Sequence, residues 1–561
     1  MKNRTATYTL LLGITLLLFM AAIVISTSVL FLFGVPVSAF SFWLSVAAAF
    51  ICLLGAICTF VPVFRGRWIA WTLAGLLVIA GLCWYVSATT YDLSFDGQTY
   101  HQEAIMLLAQ GWNPVLDPPL LSPSQEEIAK MDGKEILTAF YLWINHYAKG
   151  PWLLDAVMYK VTNQIELGKM FNLLLLFSSF LLSVAAMLAA YPQKKTRAVL
   201  ISLLLACNPV VICQATSYYI DGQLGSLILI ICALGVLLFK RYHGWVLAAL
   251  CAALMLLAEV KFTALVYAML LGGGIFLLFL FYDKQRRWKR LLAAFVASFV
   301  LAVAVVGYNP YVTNTLTKGH PFYPLAGPHA VDIMTYNSPH DFRGISSIEK
   351  LAISLFAKSA NIAGKDETSL KFPFTITSEE LKVFNAPDVR VAGFGPLFGG
   401  AFLLLLIVLV AVLAGDRRKA APLLLICGIL FASVLVNPES WWARYVPQLW
   451  MIPVLVAIAG LESRNTFSRN ASWVLLGVLL INMVMVNGAH ISGQSWVNEA
   501  AKQQLAEIKA SKKTVLIDFH HFNSNRLRLQ EAGIPYVEGK IDDKDANAKG
   551  LVASRARYVL K

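Results

Sequence analysis

Apolar runs of the length a helix needs to cross a bilayer, about 20 residues for roughly 30 Å of hydrocarbon, recur along the whole chain. They fall near 8–35, 41–64, 67–89, 170–191, 197–215, 222–239, 245–258, 262–282, 291–308, 393–414, 420–436, 445–461 and 472–490. Hydrocarbon offers no partner to a bare backbone donor or acceptor, so each run is expected as a helix. The fold class is an all-α polytopic membrane protein with about thirteen transmembrane helices. The short run at 245–258 reads either as its own span or as half of one bent helix with the next. Composition agrees, with 58% of the 561 residues hydrophobic and 14% charged, which excludes a chain whose entire surface faces water. The first run exceeds the roughly 7–15 apolar residues of a cleavable signal and is expected to stay attached.

The formal charge of +14 does not point to nucleic acid, because Lys and Arg are scattered in short clusters between apolar runs rather than gathered on one face. Alternate connections carry those clusters: Arg65 and Arg67; Lys194, Lys195 and Arg197; Lys240 and Arg241; Lys284 to Arg290; Arg417, Arg418 and Lys419; Arg464 and Arg469. Basic short loops stay in the cytoplasm, which puts the N-terminus inside. The long connections 90–169 and 309–392 and the tail 491–561 are then extracytoplasmic.

All eight cysteines lie in predicted spans and read as small packing residues. No zinc spacing, Walker loop or Rossmann fingerprint supports a cytoplasmic nucleotide site. The tail turns polar and alternates strand-like TVLIDF (514–519), helix-like NRLRLQEAG, then IPYVEG and RYVLK, which predicts a small α/β domain. Its adjacent His520 and His521, on an extended segment, would point to opposite faces, which disfavours a metal site.

Charged residues concentrate at the outside ends of the spans. Asp92 and Asp96 follow the third run in YDLSFDGQTYHQ, and Asp221 occupies the similar TSYYIDGQLG between the fifth and sixth. Carboxylates at a membrane boundary are costly unless solvated or used. Asp96 with Gly97 reads either as a turn and helix cap or as a functional acid, and the repeated Asp-Gly-Gln invites one explanation for both sites. Lys261 in AEVKFT and Arg444 with Tyr445 in NPESWWARYVPQLW bring cations to the same boundary. Lys261 reads alternatively as a snorkelling side chain and Trp441 and Trp442 as interfacial belt residues. Acids and cations at one interface suit an anionic phosphate held beside a general base.

The order of these motifs resembles the GT-C superfamily of membrane glycosyltransferases, which take sugars from polyprenyl-phosphate carriers. It is nearest in type to protein O-mannosyltransferases and lipid A aminoarabinose transferases. Asp96 and Tyr100 resemble the family's Asp-Glu-x-x-Tyr, and Asp117, Pro118 and Pro119 its Asp-x-x-Pro-Pro. NHYAKGPW (145–152) resembles the His-and-Pro segment of the first loop, Asp221 the second acid, GHPFYP the Gly-Asn-Pro-x-x-Pro loop, and Arg444-Tyr445 the Arg-Tyr-x-x-Pro opening a late span. Gly97 stands where the family has Glu, and two additional N-terminal helices (1–66) precede a GT-C-like core (67–490) and the tail (491–561).

The resemblance implies an inverting transferase at the bacterial cytoplasmic (inner) membrane. Its donor is a polyprenyl-phosphate sugar; its acceptor is a lipid, glycan or protein outside. It casts Asp96 as general base and Lys261, Arg444 and Tyr445 as donor-phosphate ligands. Asp92, Asp221 and His101 are placed at the acceptor or a metal, and Asp96 with Asp221 as ligands should Mg or Mn be used. A transporter or flippase, or a polysaccharide polymerase or ligase, is the alternative reading. Against transport stand span interiors nearly free of charge and large loops on one side only.

Overall fold

The structure, a computed structural model, describes residues 3–561 apart from 129, 132–134, 136–137, 416 and 543. The side chains of Gln125, Arg417, Arg418 and Lys419 also lie outside the described residues, so that one predicted cytoplasmic cluster has no side-chain account.

Eight described helices are long and apolar enough to cross a membrane: Arg4–Leu32, Ala39–Phe60, Arg65–Thr89, Ile165–Ala190, Asp221–Lys240, Phe262–Tyr282, Trp288–Val306 and Thr466–Ala510. Shorter apolar helices, Gly244–Ala258, Phe398–Ala414, Ala420–Leu435 and Pro447–Leu461, occupy four more of the predicted runs. The remaining run is broken. Pro209 lacks a backbone N–H, so the helix stops at Ala206 and restarts at Pro209, where Asn208 accepts the Val211 amide at 3.2 Å as an N-cap. The chain is a multi-pass membrane protein, and the run at 245–258 is a separate helix joined to the next by a tight turn at 259–261.

Packing differs sharply between the first three helices. Arg4–Leu32 is mostly buried and lies against Met170–Ala190, where Gly13 permits contact so close that a Cβ would stand 2.6 Å from Leu182. Ser178 donates to the Gly13 carbonyl at 2.9 Å across the same crossing. Ala39–Phe60 and Arg65–Thr89 leave most of their surface outward, as lipid-facing helices do. The first helix is thus a central member of the bundle.

The two ends of the bundle differ chemically. Asp221–Lys240 spans about 30 Å at 1.5 Å per residue and connects them. At its Lys240 end Lys194 pairs with Glu462 at 2.8 Å, joining two predicted cytoplasmic connections. At its Asp221 end lie the connections 90–164 and 307–397, whose described residues include several short helices.

The last long helix departs from expectation. A polar tail was expected from 491, yet Thr466–Ala510 continues unbroken for 45 residues, about 68 Å. The change to polar composition marks where the helix leaves the apolar layer, and nothing in 491–510 stops it. Beyond it stands the expected α/β domain, a four-stranded sheet in the order β2-β1-β4-β3. Here β1 is Val515–Asp518, β2 Tyr536–Glu538, β3 Lys549–Gly550 and β4 Arg557–Leu560; β1 runs parallel to β2 and antiparallel to β4. Helix Asn525–Glu531 makes the crossover between β1 and β2. His520 and His521 sit in a tight turn with positive φ rather than on an extended segment, and His520 lies 3.5 Å from Asp518.

Candidate active site

Asp96 stands at the start of a wide π-helical turn, Gly97–His101, that leads into Gln102–Ala109. Its carboxylate makes no cap hydrogen bond. Ser94 takes that role, its hydroxyl accepting the Gly97 amide at 3.1 Å, so the Asp96 side chain is free to face elsewhere. The turn requires glycine at 97. A Cβ there would fall 1.6 Å from Asp92 Oδ2 and 2.5 Å from Ser94 Oγ. Asp92, fully buried, fills the space a side chain at 97 would need.

The Asp96 carboxylate meets Arg444, with Nη1 3.3 Å from Oδ2. The same Nη1 lies 3.4 Å from Oδ2 of Asp388, and Nε lies 3.9 Å from Oδ2 of Asp221. Lys261 donates to the other Asp221 oxygen. One guanidinium therefore faces three carboxylates, one from each of three distant parts of the chain, with a second cation alongside. Aromatic rings wall the group. Arg444 lies 4.5 Å from the Trp442 ring centroid and 5.2 Å from that of Tyr219, and Lys261 stands 4.4 Å over Tyr445. The Tyr445 hydroxyl accepts from Arg444 Nη2 at 3.3 Å, and the Tyr100 hydroxyl approaches Asp96 at 3.5 Å. The Arg444 and Asp96 side chains remain 14% and 18% exposed, so the cluster is in contact with solvent.

Burial sets the protonation. Loss of solvation pushes the Asp96 carboxyl up to about 6, with Arg444 opposing and the charges of Asp388 and Asp221 reinforcing. Asp388 is raised by the same desolvation, against the pull of Arg444 and Arg390.

Five predicted residues, Asp96, Asp221, Lys261, Arg444 and Tyr445, meet in this cluster; Asp92 and His101 do not take part in it. The Asp92 carboxylate accepts from the Ser94 amide at 3.0 Å and Gln102 Nε2 at 3.3 Å, holding the turn beneath the cluster. His101 accepts the Trp152 indole N–H on Nδ1 at 2.6 Å, and burial lowers it to about 3, leaving it neutral. Trp441 and Trp442 are both 1% exposed and stacked at 5.3 Å, which corrects their reading as belt residues. Among the described residues no group of three or more His, Cys, Asp or Glu is placed to hold a metal. The two acids expected to bind one, Asp96 and Asp221, are instead paired with Arg444 and Lys261.

Asp388 was not anticipated. It lies in NAPDVR, without helical period or motif, and only tertiary contact brings it to Arg444, where Trp442 Nε1 donates to it at 2.7 Å. The other motifs frame the cluster. Asn145 bonds the Leu120 backbone twice, at 2.8 and 2.9 Å, fixing the segment after Asp117-Pro118-Pro119. His146 Nδ1 meets Asn314 Oδ1 at 2.7 Å, and Asn314 donates to the Tyr323 carbonyl in GHPFYP at 2.9 Å. Lys149 is buried, bonded to the Asn145 and Tyr147 carbonyls at 3.1 and 2.9 Å and lowered by desolvation to about 7.

No protein-family model and no curated relative matches the sequence. Among solved structures the chain is similar to the crystal structure of ArnT from Cupriavidus metallidurans bound to undecaprenyl phosphate. That match has 15% identity and a TM-score of 0.44, covering 84% of this chain and 86% of that one.

Proposed function

We propose that this chain is a membrane glycosyltransferase that moves a sugar from a polyprenyl-phosphate donor to an extracytoplasmic acceptor with inversion, Asp96 serving as general base. The observation that carries this reading is the set Asp96, Arg444, Asp221 and Lys261 at the mouth of the helical bundle, partly open to water. A lipid-linked donor lies in the bilayer with its head at the helix ends, where these groups stand. The acceptor hydroxyl oxygen attacks the anomeric carbon as the bond from that carbon to the phosphate oxygen breaks. The hydroxyl proton passes to the Asp96 carboxylate, and the phosphate leaves with the bonding electron pair. Arg444 and Lys261 neutralise the charge that grows on the departing phosphate, with Tyr445 donating from the same side once Arg444 turns to the ligand. Asp221 holds Lys261 in place. A carboxyl raised to about 6 is a stronger base than an ordinary one and is still largely ionised at neutral pH.

Purified protein offered a panel of polyprenyl-phosphate monosaccharides, with Asp96→Asn beside wild type, tests the assignment. Transfer by wild type, with loss of roughly a thousandfold or more in the variant and unchanged donor binding, is expected. Equal transfer by both proteins removes Asp96 as base. Donor binding without transfer by either moves the reading to transport or to a polymerase with a larger substrate.

A further inference from the structure

The C-terminal domain grips the segment that carries Asp96 on both flanks, through residues other than those clustered around Arg444. On the N-terminal flank, Arg528 donates to the Asp92 carbonyl at 2.9 Å, lies 3.4 Å from Glu166, and stands 4.7 Å over the Tyr91 ring. Phe522 meets Phe95 edge-on at 5.5 Å. On the C-terminal flank, Gln98 is wholly buried and held three ways. Ser524 donates to its carbonyl at 2.6 Å, Asn525 to its Oε1 at 3.1 Å, and its own amide donates to the Ala553 carbonyl at 2.8 Å. One turn further, Arg526 forms two bonds to the Glu103 carboxylate, at 2.8 and 2.6 Å.

The need for such a grip lies in the local backbone. Gly97–His101 is a π-turn, a conformation of poor intrinsic stability that persists only where surroundings impose it. Residues 91–94 before it are not helical, so beyond the side-chain bonds of Asp92 and Ser94 the segment has no regular ladder leading up to Asp96. The long helix Thr466–Ala510 joins in. Asn498 accepts the Tyr91 amide at 2.8 Å and donates to the Thr89 carbonyl at 3.1 Å, which ties the stalk of the domain to the end of the third helix.

We infer that the C-terminal domain is a positioning element of the transferase, setting Asp96 against Arg444 through Ser524, Asn525, Arg526 and Arg528. The inference rests on Asp96 being the base. The four residues touch no reacting atom; they are positioning residues, and their loss misplaces the base without altering the phosphate ligands.

The test uses the full-length protein. Arg526→Glu sets two carboxylates against each other at position 103 and is expected to lower kcat about tenfold or more, with the donor KM within about twofold. The swap Glu103→Arg with Arg526→Glu restores the pair and is expected to recover kcat to within about threefold of wild type. Ser524→Ala with Asn525→Ala removes two of the three bonds that hold Gln98, together with the Asn525 bond to Arg528, a milder change with the same expected split between kcat and KM. Unchanged kcat in both perturbed proteins, a fall in donor affinity matching the fall in rate, or failure of the swap to recover it overturns the inference. Should wild type transfer no sugar from any donor, the base assignment fails on its own, and hydrogen exchange over 94–103 decides the positioning claim. Faster exchange in Arg526→Glu, reversed in the swap, supports it, and equal exchange in all three proteins overturns it.

Discussion

Replacing Asp388 by Asn should shift the pH dependence of transfer toward acid. Asp96 and Asp388 both approach Arg444 Nη1, at 3.3 and 3.4 Å, so their facing oxygens lie no more than about 6.7 Å apart. At an effective dielectric constant of about 20, two unit charges at that separation repel by about 2.5 kcal/mol, or nearly two pKa units at 1.36 kcal/mol each. Both carboxylates keep some contact with water, which brings the expected effect on Asp96 down to about one unit. The variant also leaves Arg444 with one fewer carboxylate to serve, and a firmer bond to Asp96 acts in the same direction. Asp96 must be ionised to accept a proton, and its folded pKa is raised to about 6, so kcat/KM rises with pH and levels off above that value. In Asp388→Asn the rise should centre about one unit lower, and the plateau should fall as the base weakens. Initial rates from pH 4.5 to 8.5 at low donor concentration measure both. An unchanged midpoint, or one displaced to higher pH, refutes the electrostatic coupling of Asp388 to Asp96, or Asp96 as the group that sets the profile.

Gly97→Ala places a Cβ inside contact distance of the buried Asp92 carboxylate and should destabilise the protein by about 1–3 kcal/mol; an unfolding midpoint equal to wild type in detergent would remove the steric argument. Transfer should persist in excess EDTA because Lys261 and Arg444 already satisfy Asp221 and Asp96, and a loss of activity restored by Mn or Mg would show instead that the carboxylates hold a cation.

The spans were legible because a helix crossing hydrocarbon must be predominantly apolar over about 20 residues, and even the break in 197–215 is written in Asn208-Pro209. The end of the last helix was not. From 491 onward polar residues signal departure from the membrane, but the run of Ala, Gln, Lys and Glu after 498 favours a helix, and Leu505 and Ile508 bury it against the core of the C-terminal domain. At the mouth, acids and cations were visible as costly residues at a boundary, which identified Asp96, Asp221, Lys261 and Arg444. Asp92 has the same sequence context as Asp96, and no pattern separates a buried carboxylate that shapes a turn from one that faces a cluster. Asp388 was hidden for the opposite reason. It lies in a loop, where a solvated acid is the ordinary case, and its partner Arg444 is 56 positions away.

The repeated Asp-Gly-Gln has one physical logic at both places. Residues two apart on a helix project about 200° from each other, so an acid and a glutamine in this spacing face opposite ways. At the first site Asp96 faces Arg444 while Gln98 reaches the C-terminal domain. At the second Asp221 faces Lys261 and Arg444 while Gln223 donates to Asn172 Oδ1 at 2.6 Å, anchoring to Met170–Ala190. The intervening glycines permit close approach: Gly97 beside Asp92, and Gly222 with a Cβ position only 3.3 Å from the Gln214 side chain. Each triplet thus presents a carboxylate to a shared centre and fastens its own backbone to a different neighbour. That arrangement lets one arginine hold acids from separate helices without either helix end depending on the ion pair for its position.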